Sequence, residues 1–127
     1  MAKILIIDDD PVFSDMTKQR LERVGHEVML HLGPFGATVA AGAADIDLVI
    51  LDVFMPALNG PALLDLIRKS QVARAPVVFC SSMDAAPLRK LAEEHGVAGF
   101  IPKSAGRSEF LTAVEHVLEI AKNGAVG

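Results

Sequence analysis

Three uninterrupted apolar runs limit what this chain can fold into: Ile4–Ile7, Leu48–Leu51 and Val77–Cys80. Each has the length of a strand and none alternates with polar residues. Each therefore reads as a strand buried on both faces, the pattern of a parallel sheet covered by helices.

The segments between these runs carry helical spacing. "PVFSDMTKQRLERVG" places Phe13, Met16, Leu21 and Val24 at helical intervals and ends at Gly25, a residue suited to a helix C-terminus. "EVMLHL" is a further strand, followed by a small-residue helix in "GPFGATVAAGAA" that its glycines weaken. Asn59, Gly60 and Pro61 turn into the helix "ALLDLIRKS", and Asp84 is placed to cap "AAPLRKLAEEH". "AGFIP" gives a short fifth strand, and "RSEFLTAVEHVLEIAK" closes with Phe110, Val114, Val117 and Ala121 at amphipathic spacing. Five β-α repeats imply an α/β fold, a parallel sheet with helices on both faces. Right-handed crossovers leave few strand orders, with the doubly wound 2-1-3-4-5 foremost.

At 127 residues the chain is the size of one domain and can bury a core without disulfides or structural metal. The expected division is a domain over residues 1–122 and a flexible tail over 123–127. Cys80 is the single cysteine, which suits a reducing, cytoplasmic setting, and it reads as an inert strand residue. No run approaches the ~20 apolar residues of a membrane span. The net charge of −4 argues against direct nucleic-acid contact by this domain, since phosphate binding needs a basic face.

In doubly wound sheets function gathers at the carboxyl ends of the central strands. Here those ends read "DDD", "LDVF", "CSS" and "PKS", which brings Asp8, Asp9, Asp52, Ser81 and Lys103 around one crevice. A lone aspartate at a strand end is ordinarily a cap or turn residue. Carboxylates, a hydroxyl and a lysine converging from several strands are harder to explain that way. Clustered carboxylates suit a hard divalent cation such as Mg²⁺. A carboxylate oxygen can then act as nucleophile, with the lysine and serine as ligands for phosphoryl oxygens. The chemistry indicated is phosphoryl transfer onto an aspartate.

The motifs "ILIIDDDP", "DLVILDVFMP" with the following "NG", "PVVFCSS" and "GFIPK" resemble, in order and spacing, the receiver domain of bacterial two-component response regulators. The resemblance covers residues 3–122 and supports the 2-1-3-4-5, flavodoxin-like order. It implies that Asp52 is the phosphoacceptor and that Asp8 and Asp9 form the acid pocket for Mg²⁺. Asp9, Asp52 and the backbone carbonyl of Phe54 are its expected protein ligands. Ser81 and Lys103 fill the family's hydroxyl and lysine positions, and Phe100 that of the switch aromatic. The implied partners are a sensor histidine kinase or histidine phosphotransfer protein and a downstream effector or output domain. A phosphorylation-dependent homodimer is also compatible with the resemblance.

Other residues have plainer readings. Asp10 is an N-cap with Pro11 in the first turn, Ser82 a small residue flanking the pocket, and Phe100 could equally be core. His26, His31, His95 and His116 lack metal-ligand spacing and read as solvated or capping residues. The chain also departs from the family pattern. Ser104, not proline, follows Lys103, so a trans peptide is expected there. Pro102 requires its strand to lie at a sheet edge. Phe54 and Met83 are apolar where rim residues are often polar, and residues 28–44 contain no Asp, Glu, Lys or Arg.

Three competing readings are weaker. An aspartyl-nucleophile phosphatase or phosphotransferase of the haloacid-dehalogenase type would need a general-acid aspartate where Phe54 stands. A flavin-binding domain would need a phosphate cradle where "DDDP" repels anions. A degenerate docking receiver would not require the intact Asp9, Asp52, Ser81 and Lys103 set.

Overall fold

The computed structural model describes residues 2–42, 45–70 and 75–126, the side chains of 124–126 excepted. Ten elements alternate strand and helix: β1 (Lys3–Asp8), α1 (Pro11–Arg23), β2 (Glu27–Leu32), α2 (Ala37–Ala41), β3 (Leu48–Asp52), α3 (Gly60–Ser70), β4 (Val77–Ser81), α4 (Ala85–His95), β5 (Gly99–Pro102) and α5 (Arg107–Val126). The strands form one parallel sheet in the order β2-β1-β3-β4-β5.

Alternation along each strand divides the core in two. Leu5, Ile7, Val49, Leu51, Val77 and Phe79 face α2, α3 and α4 through Ala37, Ala41, Leu63, Leu64, Ile67, Leu88 and Ala92. Ile4, Ile6, Leu48, Ile50, Val78, Cys80 and Ile101 face α1 and α5 through Phe13, Leu21, Phe110, Val114 and Val117. The continuous apolar runs follow from this arrangement, since neither face of a central strand meets water.

Local chemistry sets several boundaries. Asp10 caps α1, its Oδ1 accepting the N–H groups of Val12 and Phe13 at 3.0 and 3.2 Å, with Pro11 at the first helical position where no N–H is needed. Gly96 ends α4 in a left-handed conformation, φ 64°. Arg68 of α3 donates to the carbonyls of His95 and Gly96 at 2.6 and 3.2 Å, satisfying the end of α4. Asp84 stands at the N-cap of α4 but makes no side-chain capping bond. Pro102 lies at the end of β5, an edge strand, where its missing donor costs no ladder bond. No cis peptide occurs among the described residues, so Lys103–Ser104 is trans.

Four expectations are corrected. Met16 and Val24 are 40% and 45% exposed, and α1 instead buries Phe13, Ser14, Thr17 and Leu21. Two small hydroxyl residues let the helix approach closely, a face that a search for large apolar residues misreads. The second helix shrinks to Ala37–Ala41, bounded by Gly36 and Gly42. The last helix continues to Val126, into the segment expected to be a flexible tail, and Gly127 lies outside the described residues. His26 is neither solvated nor a cap. It is buried, with Nδ1 accepting the Ala2 N–H at 3.1 Å and Nε2 2.6 Å from Glu115 Oε1, and so ties the start of the chain to α5.

Candidate functional site

The carboxyl ends of β1, β3 and β4 and the turn after β5 meet at one pole of the sheet. β3 ends on Asp52, which is paired in register with Cys80, and Ser81 closes β4 opposite Pro102. The Lys103 N–H donates to the Ser81 carbonyl at 2.7 Å, which fixes where the lysine side chain departs. Its Nζ reaches Asp8 Oδ2 at 2.9 Å and lies 3.7 Å from Asp52 Oδ1. The same ammonium sits 4.6 Å from the centre of the Phe13 ring, a cation–π contact that steadies a charge with little solvent around it.

Asp8 and Asp52 are buried, while Asp9 is exposed. Ligand oxygens of all three lie within 4.8 Å of one another. Asp8 Oδ1 accepts the Asp10 N–H at 2.9 Å, and Asp52 Oδ1 accepts the Phe54 N–H at 3.3 Å. Burial, and then the charge of Asp8, push the Asp52 carboxyl up to about 7; Lys103 opposes them without cancelling them. Burial also works against the lysine's charge, but the hydrogen bond and charge of Asp8, with Asp52, leave Lys103 titrating above its usual range. The pocket thus holds a permanent cation and more negative charge than that cation offsets.

An all-oxygen donor set with surplus negative charge fits a hard divalent ion. Asp8, Asp9 and Asp52 are the side chains that could hold one.

Ser81 is fully buried, and its Oγ accepts the Met83 N–H at 3.1 Å. Met83 itself is half-buried against the α2–α3–α4 side of the core, as is Phe100. Phe54 is 57% exposed and lines a recess of about 360 Å³ with Asp9, Met55, Pro56 and Asn59. Of the two apolar residues expected at the rim, Phe54 stands there, whereas Met83 is partly drawn into the core. Asp10 serves as the α1 cap and is not part of the three-carboxylate cluster. Burial raises the Cys80 thiol to about 12, outweighing the nearby lysine, so the thiol stays protonated.

Sequence reasoning missed the part played by Gly60. Its N–H donates to the Val53 carbonyl at 2.9 Å. A Cβ there would overlap the Asp52 carbonyl oxygen and come 2.9 Å from Val53 Cα. The Asn-Gly pair was legible as a turn, but nothing in it shows that the turn folds back against the backbone of Asp52.

Comparison with known proteins agrees with this geometry. Residues 4–115 match the model of the response regulator receiver domain. The chain is 27% identical over 119 residues to Protein PilH of Pseudomonas aeruginosa, covering 93% of this chain and 98% of that protein. It is 31% identical over 119 residues to the transcriptional regulatory protein CpxR of Escherichia coli, of which it covers 50%. It therefore spans nearly all of one relative and half the length of the other. Among solved structures, a response regulator receiver domain protein from Clostridium thermocellum superimposes with a TM-score of 0.82 at 27% identity, covering 96% of this chain and 98% of that one. Vibrio cholerae CheY4 does so with a TM-score of 0.80 at 25% identity, covering 92% and 98%. The chain belongs to the receiver domain family of two-component response regulators.

Proposed function

We propose that this receiver accepts a phosphoryl group on Asp52 in a Mg²⁺-dependent reaction and that the aspartyl phosphate switches a protein-interaction surface. The observation that carries the reading is the pocket itself: three carboxylates within 4.8 Å of one another, with Lys103 2.9 Å from Asp8. Asp8, Asp9, Asp52 and the Phe54 carbonyl would hold the ion. When bound, Mg²⁺ neutralises the carboxylates and screens the incoming phosphoryl group.

An Asp52 carboxylate oxygen forms the new P–O bond as the bond from phosphorus to the donor nitrogen breaks. That nitrogen keeps the electron pair. Lys103, already charged and oriented by Asp8, takes a phosphoryl oxygen, and the Ser81 hydroxyl donates to another. The donor is a sensor histidine kinase or histidine phosphotransfer protein, and the recipient an effector or output domain. The domain acts as a signalling module without substrate turnover and without touching nucleic acid. Among the described residues no helix is long and apolar enough to cross a membrane, and the proposed setting is cytoplasmic.

Switching follows from the position of Ser81. Turning its hydroxyl toward a phosphoryl oxygen gives up the bond from the Met83 N–H, which frees the turn leading into α4. Phe100, half-buried one strand away, then moves into the vacated space, altering the α4–β5–α5 face. A titration of labelled protein with Mg²⁺ and then beryllofluoride, followed by NMR, tests this. Saturable shifts at Asp8–Asp10, Asp52–Phe54, Ser81–Met83 and Lys103 on adding Mg²⁺ are expected, spreading to Phe100 with beryllofluoride. A pocket unresponsive to either addition would overturn the reading.

A further inference from the structure

The Lys103 ammonium is held from two sides, and only one of them is a carboxylate. Asp8 Oδ2 lies 2.9 Å from Nζ, and the centre of the Phe13 ring, over which Nζ stands, lies 4.6 Å from it. Phe13 is 7% exposed and belongs to the half of the core that faces α1 and α5. An edge-on contact with Phe110 of α5 sets its ring, with centroids 6.4 Å apart and planes at 66°. The two holds also share one backbone turn. Asp8 Oδ1 accepts the Asp10 N–H at 2.9 Å, and Asp10 Oδ1 accepts the Phe13 N–H at 3.2 Å. Asp8, Asp10, Phe13 and Lys103 therefore close a ring of contacts, in which carboxylate and aromatic face are fixed relative to each other.

An ammonium is a point charge on a flexible stem, so an ion pair sets its distance from Asp8 but leaves its bearing loose. A second contact on another side removes that freedom. The lysine side chain is 18% exposed, so little water competes, and the attraction of a cation to a ring face is stronger in such surroundings. A carboxylate that takes up a divalent ion gives up much of its pull on an ammonium. The ring ligates no metal and keeps its hold. Core packing alone would ask only for bulk at position 13, which an aliphatic side chain supplies without a negative face.

We propose that Phe13 is a positioning residue for phosphoryl transfer: its ring face keeps the Lys103 ammonium beside Asp52, 3.7 Å from Oδ1, in place for a phosphoryl oxygen. Phe110 in turn fixes the plane of that ring. Phe13 acts only through Lys103, so its removal loosens the lysine without taking a ligand from metal or phosphoryl group. The effect on rate rests on the reading of Asp52 as the phosphoacceptor, whereas the effect on the lysine does not.

Two kinds of replacement test this, with circular dichroism to establish folding. Difluoro- and trifluorophenylalanine, placed site-specifically at Phe13, keep the ring and its packing but weaken its negative face, whereas Phe13→Leu removes the ring. In the metal-free protein, NMR should find the Lys103 ε-methylene protons shifted upfield by the ring, and Phe13→Leu should abolish that shift. Initial rates of Mg²⁺-dependent phosphorylation by acetyl phosphate should fall stepwise with fluorination, and Phe13→Leu should be roughly three- to tenfold slower than the wild type. Lysine protons without a ring shift would overturn the inference. So would equal rates in all four folded proteins, or a loss in Phe13→Leu that fluorination does not reproduce, since that is packing alone. A wild type that takes up no phosphate while its lysine is ring-shifted would fail the reading of Asp52 instead, with the hold of the ring on the lysine upheld.

Discussion

The Lys103 ammonium is held by Asp8 more closely than by Asp52, at 2.9 against 3.7 Å. Asp8 thus fixes the lysine, leaving its charge beside Asp52 without a close ion pair. Replacing Lys103 by Met would leave two buried carboxylates facing each other with no cation. In the absence of metal this should cost about 2–4 kcal/mol, with Mg²⁺ restoring part of it. Urea unfolding in EDTA and in Mg²⁺ measures both. Equal stability of variant and wild type in EDTA would remove the lysine from the charge balance.

Asp52 supplies a pH dependence of definite sign. Burial, then Asp8, raise its folded-state carboxyl from 3.8 to about 7. A raised carboxyl holds its proton more tightly in the folded state. Its stabilising contribution is therefore present below pH 3.8 and is lost as pH rises through about 7. In EDTA, Asp52→Asn should be more stable than the wild type at pH 8, by about 1–3 kcal/mol, with the difference shrinking toward pH 4. Thermal unfolding across that range tests the sign. A variant less stable than the wild type at pH 8 would contradict it.

The sheet order, the element sequence and the meeting of Asp8, Asp52 and Lys103 were legible because each rests on a strong local pattern. Unbroken apolar runs fix central strands, and a charge at the end of such a run can only emerge at the pole. What stayed hidden depends on which way a side chain turns. Ser14 and Thr17 are buried because α1 packs closely, although their composition suggests an outer face. Met83 reads as a rim residue from its position, but its side chain packs partly against the core. His26 looked unremarkable because its partners, Ala2 and Glu115, lie at opposite ends of the chain.

The His26 clasp lies at the amino-terminal end of the strands, away from Asp52. His26→Ala would leave the Ala2 N–H and the Glu115 carboxylate without this partner and open a gap beneath α5. A loss of about 1–3 kcal/mol is expected, with phosphoryl transfer unchanged in the folded fraction. Denaturant unfolding paired with a phosphorylation assay separates the two effects. Unchanged stability would make the clasp incidental.

Phe54 should govern the lifetime of an aspartyl phosphate. Hydrolysis needs a water in line with the P–O bond, and an exposed phenyl ring that lines a recess with Asp9 offers such a water no hydrogen bond. Each 1.36 kcal/mol gained in placing that water speeds decay about tenfold. Phe54→Asn should therefore dephosphorylate faster, whereas Met83→Glu should chiefly destabilise the fold, since Met83 packs against the core. Timed decay of the phosphorylated form distinguishes them. Equal lifetimes of wild type and Phe54→Asn would show that the ring does not control water access.

The central claim is that Asp52 is the phosphoacceptor, and intact-mass measurement after incubation with acetyl phosphate tests it most directly. The wild type should gain the mass of one phosphoryl group in Mg²⁺ and none in EDTA, and Asp52→Asn should gain none in either. The same Mg²⁺-dependent gain in Asp52→Asn, or none in the folded wild type with Mg²⁺ present, would contradict the account.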